Sequence, residues 1–264
     1  MAFDPTRALQ FIQSVDLPAP QHPVRRGGAV HSGPNADRAF EQVQNQAQLV
    51  GSALFAFEQG VSTEVREAIS DAALLAQLVA NKKADITSDP LGWFKEYSDV
   101  LTTLGWSLDT SSWTDDDSKG TASEVHEKIL EVAAVVLGPI PTALAIVTAT
   151  INALKKMDEK SSWLTIFNRE SHKANVGRFQ VGFVSTEADA PVVVHLFAYL
   201  IEAQTNLTQV LFFKFRNQQA RFRSLSNKVS VNRASIKDLK EPIRNKVRAY
   251  QEHYLSSVLD IEVP

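Results

Sequence analysis

The chain has 264 residues, of which 44% are hydrophobic and 22% are charged; these proportions are typical of globular domains and unlike disordered or collagen-like chains. It contains no cysteine, which excludes disulfide frameworks, thiol nucleophiles and cysteine-ligated zinc or iron–sulfur clusters. The net charge of −3 is too small for the whole chain to act as a polycation toward nucleic acid.

Helix signals dominate the N-terminal part of the chain. An Asp-Pro pair predicts a short helix over 4–15, and the proline- and glycine-rich stretch 16–34 predicts a linker. Apolar residues at intervals of three and four predict a helix over 35–59. Serine and Asp-Pro N-cap signals predict two more helices, over 62–81 and 90–104.

A charge-free apolar segment, 132–154, lies near the middle of the chain and is interrupted by Gly-Pro-Ile-Pro at 138–141. Two prolines in a turn break a helix, so this segment predicts an antiparallel hairpin of helices over 121–137 and 142–157. A helix that is apolar all round is either buried in a core or in contact with lipid, and both interpretations stay open. The residues assigned to membrane insertion are Val136, Leu137, Ile140, Leu144 and Ile146.

Alternating apolar residues in the C-terminal third are typical of β-strands. They predict a small antiparallel sheet over 177–233, including a β-hairpin in which 211–216 pairs with 221–225. A final helix is predicted to begin near Pro242.

The elements together predict an α+β fold. It consists of a mainly helical N-terminal two-thirds with a central apolar helical hairpin, then the small antiparallel sheet and a C-terminal helix. The expected division is a short helix and linker over 1–34, a helical part over 35–175, and the sheet with its helix over 176–264. We expect the last two parts to form one compact unit.

Positive charge is concentrated in 214–248, where eleven cationic side chains stand against two anionic ones. The period of two along the predicted hairpin buries Phe213, Phe215 and Phe222 and turns four cations outward: Lys214, Arg216, Arg221 and Arg223. This face is either the solvated outer side of a sheet or a binding site for lipid headgroups or an acidic protein surface. Nucleic acid is disfavoured, because the nearby aromatic residues are predicted to be buried and cannot stack on bases.

Motifs for catalysis are missing from the sequence: it has no dinucleotide-binding, Walker, GxSxG or HExxH pattern. His172, close to Glu170, is the best acid–base candidate. The acidic run Asp115–Asp117 lacks the spacing of a calcium loop and is interpreted as a solvated loop tip. We therefore predict no catalytic residue, no metal site and no cofactor.

The order of these elements resembles the layout of bacterial membrane-active toxins and virulence factors. The resemblance is carried by the apolar hairpin over 121–157 and the β-rich part over 177–233. It implies a protein that docks through its β part and inserts its helical hairpin.

The leading hypothesis is a non-enzymatic membrane-interacting protein, such as a pore-forming toxin or virulence factor, with anionic lipid or an acidic protein surface as partner and a tendency to form homo-oligomers. One alternative is a soluble protein-binding or self-assembling module whose hairpin is core; another is a hydrolase-like enzyme with a site built from distant residues. The N-terminal residues carry no Sec signal pattern. We expect synthesis in the cytoplasm and release or secretion by a non-Sec route.

Overall fold

A computed structural model describes residues 3–20, 39–109, 111–115, 123–186, 190–215 and 220–263. These residues form seven α-helices: α1 (Pro5–Ser14), α2 (Thr63–Lys83), α3 (Pro90–Thr103), α4 (Val125–Leu137), α5 (Pro141–Lys156), α6 (Ser162–Ser171) and α7 (Arg233–Tyr254). The fold is α+β, as predicted.

The strands form a large mixed sheet of nine and a separate pair. In chain order they are β1 (Gln46–Val50), β2 (Ala53–Phe57), β3 (Trp106–Leu108), β4 (Thr114–Asp115), β5 (Ser123–Glu124), β6 (His172–Lys173), β7 (Val176–Ser185), β8 (Val192–Ala203), β9 (Lys214–Phe215), β10 (Ala220–Val231) and β11 (Leu259–Asp260). The large sheet has the order β11-β1-β2-β7-β8-β10-β3, with β4 beside β10 and β6 beside β7, and β5 pairs with β9. All the pairs are antiparallel except β2 with β7.

N-cap side chains begin three helices where the sequence predicts them. Asp4 accepts hydrogen bonds from the first turn of α1, Ser62 does so for α2, and Asp89 does so for α3. Each of these caps satisfies backbone donors that have no partner inside the helix. Gly105 follows α3 with a φ of 89°, a left-handed conformation that glycine adopts without strain.

The helix predicted over 35–59 is wrong. Residues 46–57 form the hairpin β1–β2 instead, and Gly51, with a φ of 55°, lies in its turn. Every residue of both strands is buried, because helices cover both faces of the sheet there. Strands buried on both faces lose the alternation of apolar and polar residues, and the spacing of three and four that suggested a helix is coincidental.

The C-terminal elements also differ from the prediction. The sheet is larger and mixed, because β1 and β2 join it from the N-terminal part. The predicted pairing of 211–216 with 221–225 is wrong: β9 pairs with β5, and β10 pairs with β8 along its whole length. Helix α7 is capped by Asn232, so it begins well before Pro242, which lies inside it.

Helices cover both faces of the large sheet and create two apolar cores. One core joins the sheet to α1, α2, α3 and α7, and the other joins it to α4, α5 and α6. Strand β8 supplies both, because Leu196, Ala198 and Leu200 face the first core while Phe197 and Tyr199 face the second. The predicted α4–α5 hairpin is therefore the outer layer on one face of the sheet.

Candidate functional site

The α4–α5 hairpin is built as the double proline predicts. Helix α4 ends at Leu137 and α5 begins at Pro141. In the turn between them, Ile140 N donates a hydrogen bond to Leu137 O at 2.6 Å. The N-cap of α4 is Glu124, whose N donates to Glu127 Oε2 at 2.9 Å; residue 121, where the sequence predicted this helix to begin, lies outside the described residues.

The residues assigned to insertion occupy different environments. Leu137 and Ile146 are fully buried against the sheet, and Val136 and Leu144 pack partly buried beside them. Ile140 is 40% exposed, and Val135, which the sequence analysis did not single out, is 79% exposed. The tip of the hairpin, residues 134–142, therefore presents an exposed surface that has no charged side chain.

No described helix is both long enough and apolar enough to cross a membrane.

A charged cluster closes the base of the hairpin. The Glu124 carboxylate lies 2.9 Å from Lys214 Nζ, 3.1 Å from His126 Nδ1 and 3.6 Å from Lys155 Nζ. The hydrogen bond from Lys214 holds the pKa of Glu124 below its usual value. Burial and the neighbouring Lys155 lower the pKa of His126, against the opposing effect of Glu124. At neutral pH the cluster therefore has a neutral imidazole between a carboxylate and an ammonium group.

Mild acid is expected to destabilise the protein. Burial lowers the pKa values of His126, His172, His195 and His253 below the ordinary 6.5. The unfolded chain then binds protons first as the pH falls through 6.5, so the free energy of unfolding decreases. We expect the melting temperature to fall between about pH 7.5 and about pH 5.5. The drop should be smaller in His126→Gln, and a melting temperature that stays constant or rises would contradict this prediction.

The predicted basic residues that the structure describes are divided between two sheets, with Lys214 on β9 and with Arg221 and Arg223 two residues apart on β10. Lys214 is exposed on β9 and pairs with Glu124, whereas Arg221 is exposed on β10 and donates two hydrogen bonds to Asp115, at 2.7 and 2.8 Å. The Arg223 side chain is only 11% exposed because it pairs with Glu202. Arg216 lies outside the described residues.

The burial of the phenylalanines agrees only partly with the predicted register. Phe222 is buried and Phe213 packs partly buried against the second core. The side chain of Phe215 is not among those the structure describes, and Asp116 and Asp117 of the acidic run lie outside it as well.

Comparisons with known proteins return no matching family model and no matching curated protein. Three solved structures are similar at low level. A delta-endotoxin is 12% identical, with a TM-score of 0.35, over 85% of this chain and 96% of its own. The activated Cyt2Ba monomer from Bacillus thuringiensis subsp. israelensis is 11% identical, with a TM-score of 0.31, over 68% and 96%. The Evf virulence factor is 10% identical, with a TM-score of 0.32, over 76% and 77%.

A delta-endotoxin and a virulence factor are among these structures, and the order of elements in the sequence resembles that class of protein.

Proposed function

We propose that this chain is a non-enzymatic protein of the toxin or virulence-factor kind that binds an anionic membrane surface, using the tip of the α4–α5 hairpin as its apolar contact. The observation that carries the proposal is the exposed, charge-free tip at 134–142 with Val135 79% exposed. Exposed apolar surface bounded by polar residues is typical of protein or membrane contact sites. Charged residues flank this tip on both helices, at Glu131 and at Lys155.

The tip alone gives weak binding. Burying one valine or isoleucine side chain contributes about 1.5–3 kcal/mol, so Val135 and Ile140 together contribute roughly 3–6 kcal/mol at most. A free energy of about 4 kcal/mol corresponds to a dissociation constant near the millimolar range. A second contribution is therefore required for stable attachment.

Cationic residues supply that contribution in this proposal. Lys214 and Arg221 are well exposed, and their carboxylate partners form surface ion pairs, which contribute little to stability. Anionic headgroups can therefore replace Glu124 and Asp115 as their partners. Arg216 is included among these lipid-binding cations because of its position in the sequence. Arg223 pairs with Glu202 and contributes by holding β10 in place.

The hairpin is also able to move away from the sheet. Among the described residues, one hydrogen bond joins it to the large sheet, from Tyr199 Oη to Ile129 O at 3.4 Å. Its base is also held by hydrogen bonds from Val125 N to Phe213 O at 3.1 Å and from His126 N to Leu211 O at 2.9 Å. The remaining attachment is mainly apolar packing, which a lipid environment reproduces. We propose that deeper insertion, and pore formation by several copies, begins with this separation.

An aspartate at the tip tests the apolar contact. Val135→Asp should fold normally, because the side chain is exposed, and should bind vesicles of phosphatidylglycerol and phosphatidylcholine at least tenfold more weakly, with dye leakage lost. The matched control is Val43→Asp, since Val43 is 78% exposed and lies outside the hairpin. An equal loss of vesicle binding in both variants, or no loss in either, would contradict the proposal.

Neutralising the exposed cations tests the electrostatic contact. Lys214→Gln with Arg221→Gln should remove most binding to anionic vesicles at low salt, and high salt should reduce wild-type binding in the same way. Lys95→Gln with Lys237→Gln removes two exposed cations elsewhere and should have little effect. Wild-type binding that is equal for anionic and neutral vesicles and insensitive to salt would refute this part.

The alternative is a self-assembling module in which the tip contacts a second copy. Analytical ultracentrifugation of wild type and Val135→Asp distinguishes the two. Oligomers that need Val135, together with no vesicle binding, would favour the module. In either case we propose that the chain leaves the cytoplasm by a non-Sec route.

A further inference from the structure

A cavity of about 420 Å3 lies where the C-terminal ends of α2 and α6 approach each other. It is lined by the C-terminal ends of α2 and α6, by β6, and by Arg178 of β7. Its volume is in the range of small-molecule sites. The sequence analysis singled out His172 and Glu170, which line this cavity, and missed its cationic residues.

Arg178 is the unusual residue of this cavity. It is 5% exposed, and its guanidinium lies 3.7 Å from the centroid of the Trp93 ring. Its Nη atoms donate to Ser52 Oγ at 3.1 Å and to Asn81 Oδ1 at 2.7 Å, both neutral acceptors, and its Nε has no partner. Across the described ranges no carboxylate forms an ion pair with it; Glu170, which pairs with Arg169 at 2.6 Å, acts on the Arg178 charge from farther away. A buried charge without a counter-ion is costly.

The other buried arginine shows what a satisfied guanidinium requires in this protein. Arg66 is fully buried and donates to four acceptors, and its Nε is among the bonded atoms. Arg178 has half as many acceptors. Arg178 forms part of the wall of the cavity, so an anion bound there would lie beside a guanidinium group with two acceptors.

The charge around the cavity is positive. Lining cations are Lys82, Lys83, Arg169, Lys173 and Arg178, against Asp85 and Glu170. Three of these cations lie near the ends of α2 and α6 and complement the negative helix ends. Four of these cations have carboxylate partners, namely Lys82 with Asp16, Lys83 with Glu96, Arg169 with Glu170 and Lys173 with Asp85. Arg178 comes from a strand, so no helix end accounts for it.

We propose that this cavity binds the phosphate group of a phosphate monoester, with Arg178 as its buried counter-charge and Lys173 and Lys82 at its rim. A phosphate monoester carries close to two negative charges at neutral pH, and guanidinium and ammonium groups are its usual ligands. The pairs of Lys173 with Asp85 and of Lys82 with Asp16 are exposed and contribute little, so a phosphate group can replace these carboxylates. His172 lines the same cavity, and burial lowers its pKa, so it offers a neutral ring rather than a further charge. The site is independent of the hairpin.

The test is isothermal titration of the full chain with inorganic phosphate and with glycerol 3-phosphate, at constant ionic strength. Saturable binding is expected in wild type, at least tenfold weaker binding in Lys173→Gln, and no detectable binding in Arg178→Met. The matched control is Lys95→Gln, because Lys95 and Asp99 form an exposed pair at 2.5 Å like Lys173 and Asp85 at 2.6 Å. This control should bind phosphate as wild type does.

Titration with acetate, and with vesicles containing phosphatidic acid or phosphatidylserine at equal charge, identifies the source of the ligand. A preference for phosphatidic acid that is lost in Lys173→Gln places the phosphate on a lipid, and binding of the soluble esters alone places it on a free metabolite. Either result supports a phosphate site.

Binding of acetate but not phosphate, or phosphate binding unchanged in Lys173→Gln, would overturn the proposal. If Arg178→Met does not fold, the comparison of Lys173→Gln with Lys95→Gln decides. Val135→Asp should leave phosphate binding unchanged, so failure of this site and failure of the membrane proposal are distinguishable.

Discussion

Replacing Arg66 with methionine is expected to destabilise the protein by about 3–5 kcal/mol, a large part of a typical stability of about 5–15 kcal/mol. Arg66 is fully buried. Its Nε donates to Val61 O at 2.8 Å, its Nη1 to Gln46 Oε1 at 2.8 Å, and its Nη2 to Gln44 O and Glu58 O, both at 2.9 Å. Methionine fills similar volume but leaves these acceptors buried without donors, and each such acceptor costs about 1–3 kcal/mol.

Urea unfolding followed by circular dichroism measures this effect. Arg66→Lys should recover only part of the loss, because an ammonium group cannot reach acceptors arranged around a planar guanidinium. Arg248→Met, which removes an exposed arginine bonded to Asn245 Oδ1 at 2.8 Å, is the control and should change little. A loss of under about 1 kcal/mol in Arg66→Met would contradict the prediction.

Helix starts were the most predictable part of the fold. Asp4, Ser62 and Asp89 begin helices where local sequence places them, because a cap acts through hydrogen bonds within one turn. The start of α7 was missed: Asn232 caps it, whereas the preference of proline for a first turn pointed to Pro242. The local preference of proline was overridden there, because the longer helix packs its apolar face against both α1 and α2.

The sheet was less predictable because its pairings join distant parts of the chain. The pairing of β2 with β7 brings Ala53 beside Gln180, and β1 pairs with β11 at the C-terminal end. Because β1 and β2 are buried on both faces, their sequences lack the alternation of apolar and polar residues that identifies a strand. The predicted partner of β10 was its neighbour in sequence, but the structure pairs it with β8.

The two candidate sites also differ in how far they could be predicted from the sequence. The hairpin tip is contiguous in sequence, so its prolines and its lack of charge could be recognised directly. The cavity depends on Asn81, His172 and Arg178 meeting in space. Nothing in the spacing of these residues indicates that the C-terminal end of α2 lies beside β7, and only the fold reveals that Arg178 forms no ion pair with a described carboxylate.

Amide hydrogens of α5 are expected to exchange about a hundredfold faster than those of α2, which corresponds to an opening free energy lower by about 3 kcal/mol. Helix α2 lies between the sheet and two other helices, so it cannot leave without moving them. Polar contacts also anchor it: Gln77 Nε2 donates to Val50 O at 2.8 Å, and Asp71 lies 3.2 Å from Arg244 Nε of α7.

The hairpin is covered by no further helix on its outer side in the described part of the chain, and its polar anchors lie mainly at its base, where Val125 N donates to Phe213 O at 3.1 Å and His126 N to Leu211 O at 2.9 Å. Its outer side keeps Val135 and Ile140 exposed, and its hydrogen bond to the large sheet in the described part of the chain is the one from Tyr199 to Ile129. Its opening therefore exposes apolar surface without displacing α2, α3 or α7. This is the motion that insertion into a lipid surface requires.

Exchange measured by mass spectrometry on peptides from 63–83 and 141–156 tests the difference, with protection factors compared so that intrinsic rates cancel. Tyr199→Phe should increase exchange in α4 and α5 and leave α2 unchanged, because it removes the hydrogen bond to Ile129 O. Equal protection of α2 and α5 would mean that the hairpin opens only when the whole protein unfolds. The membrane proposal would then lose its mechanism of insertion, although surface binding through the exposed tip would still be open to the Val135→Asp test.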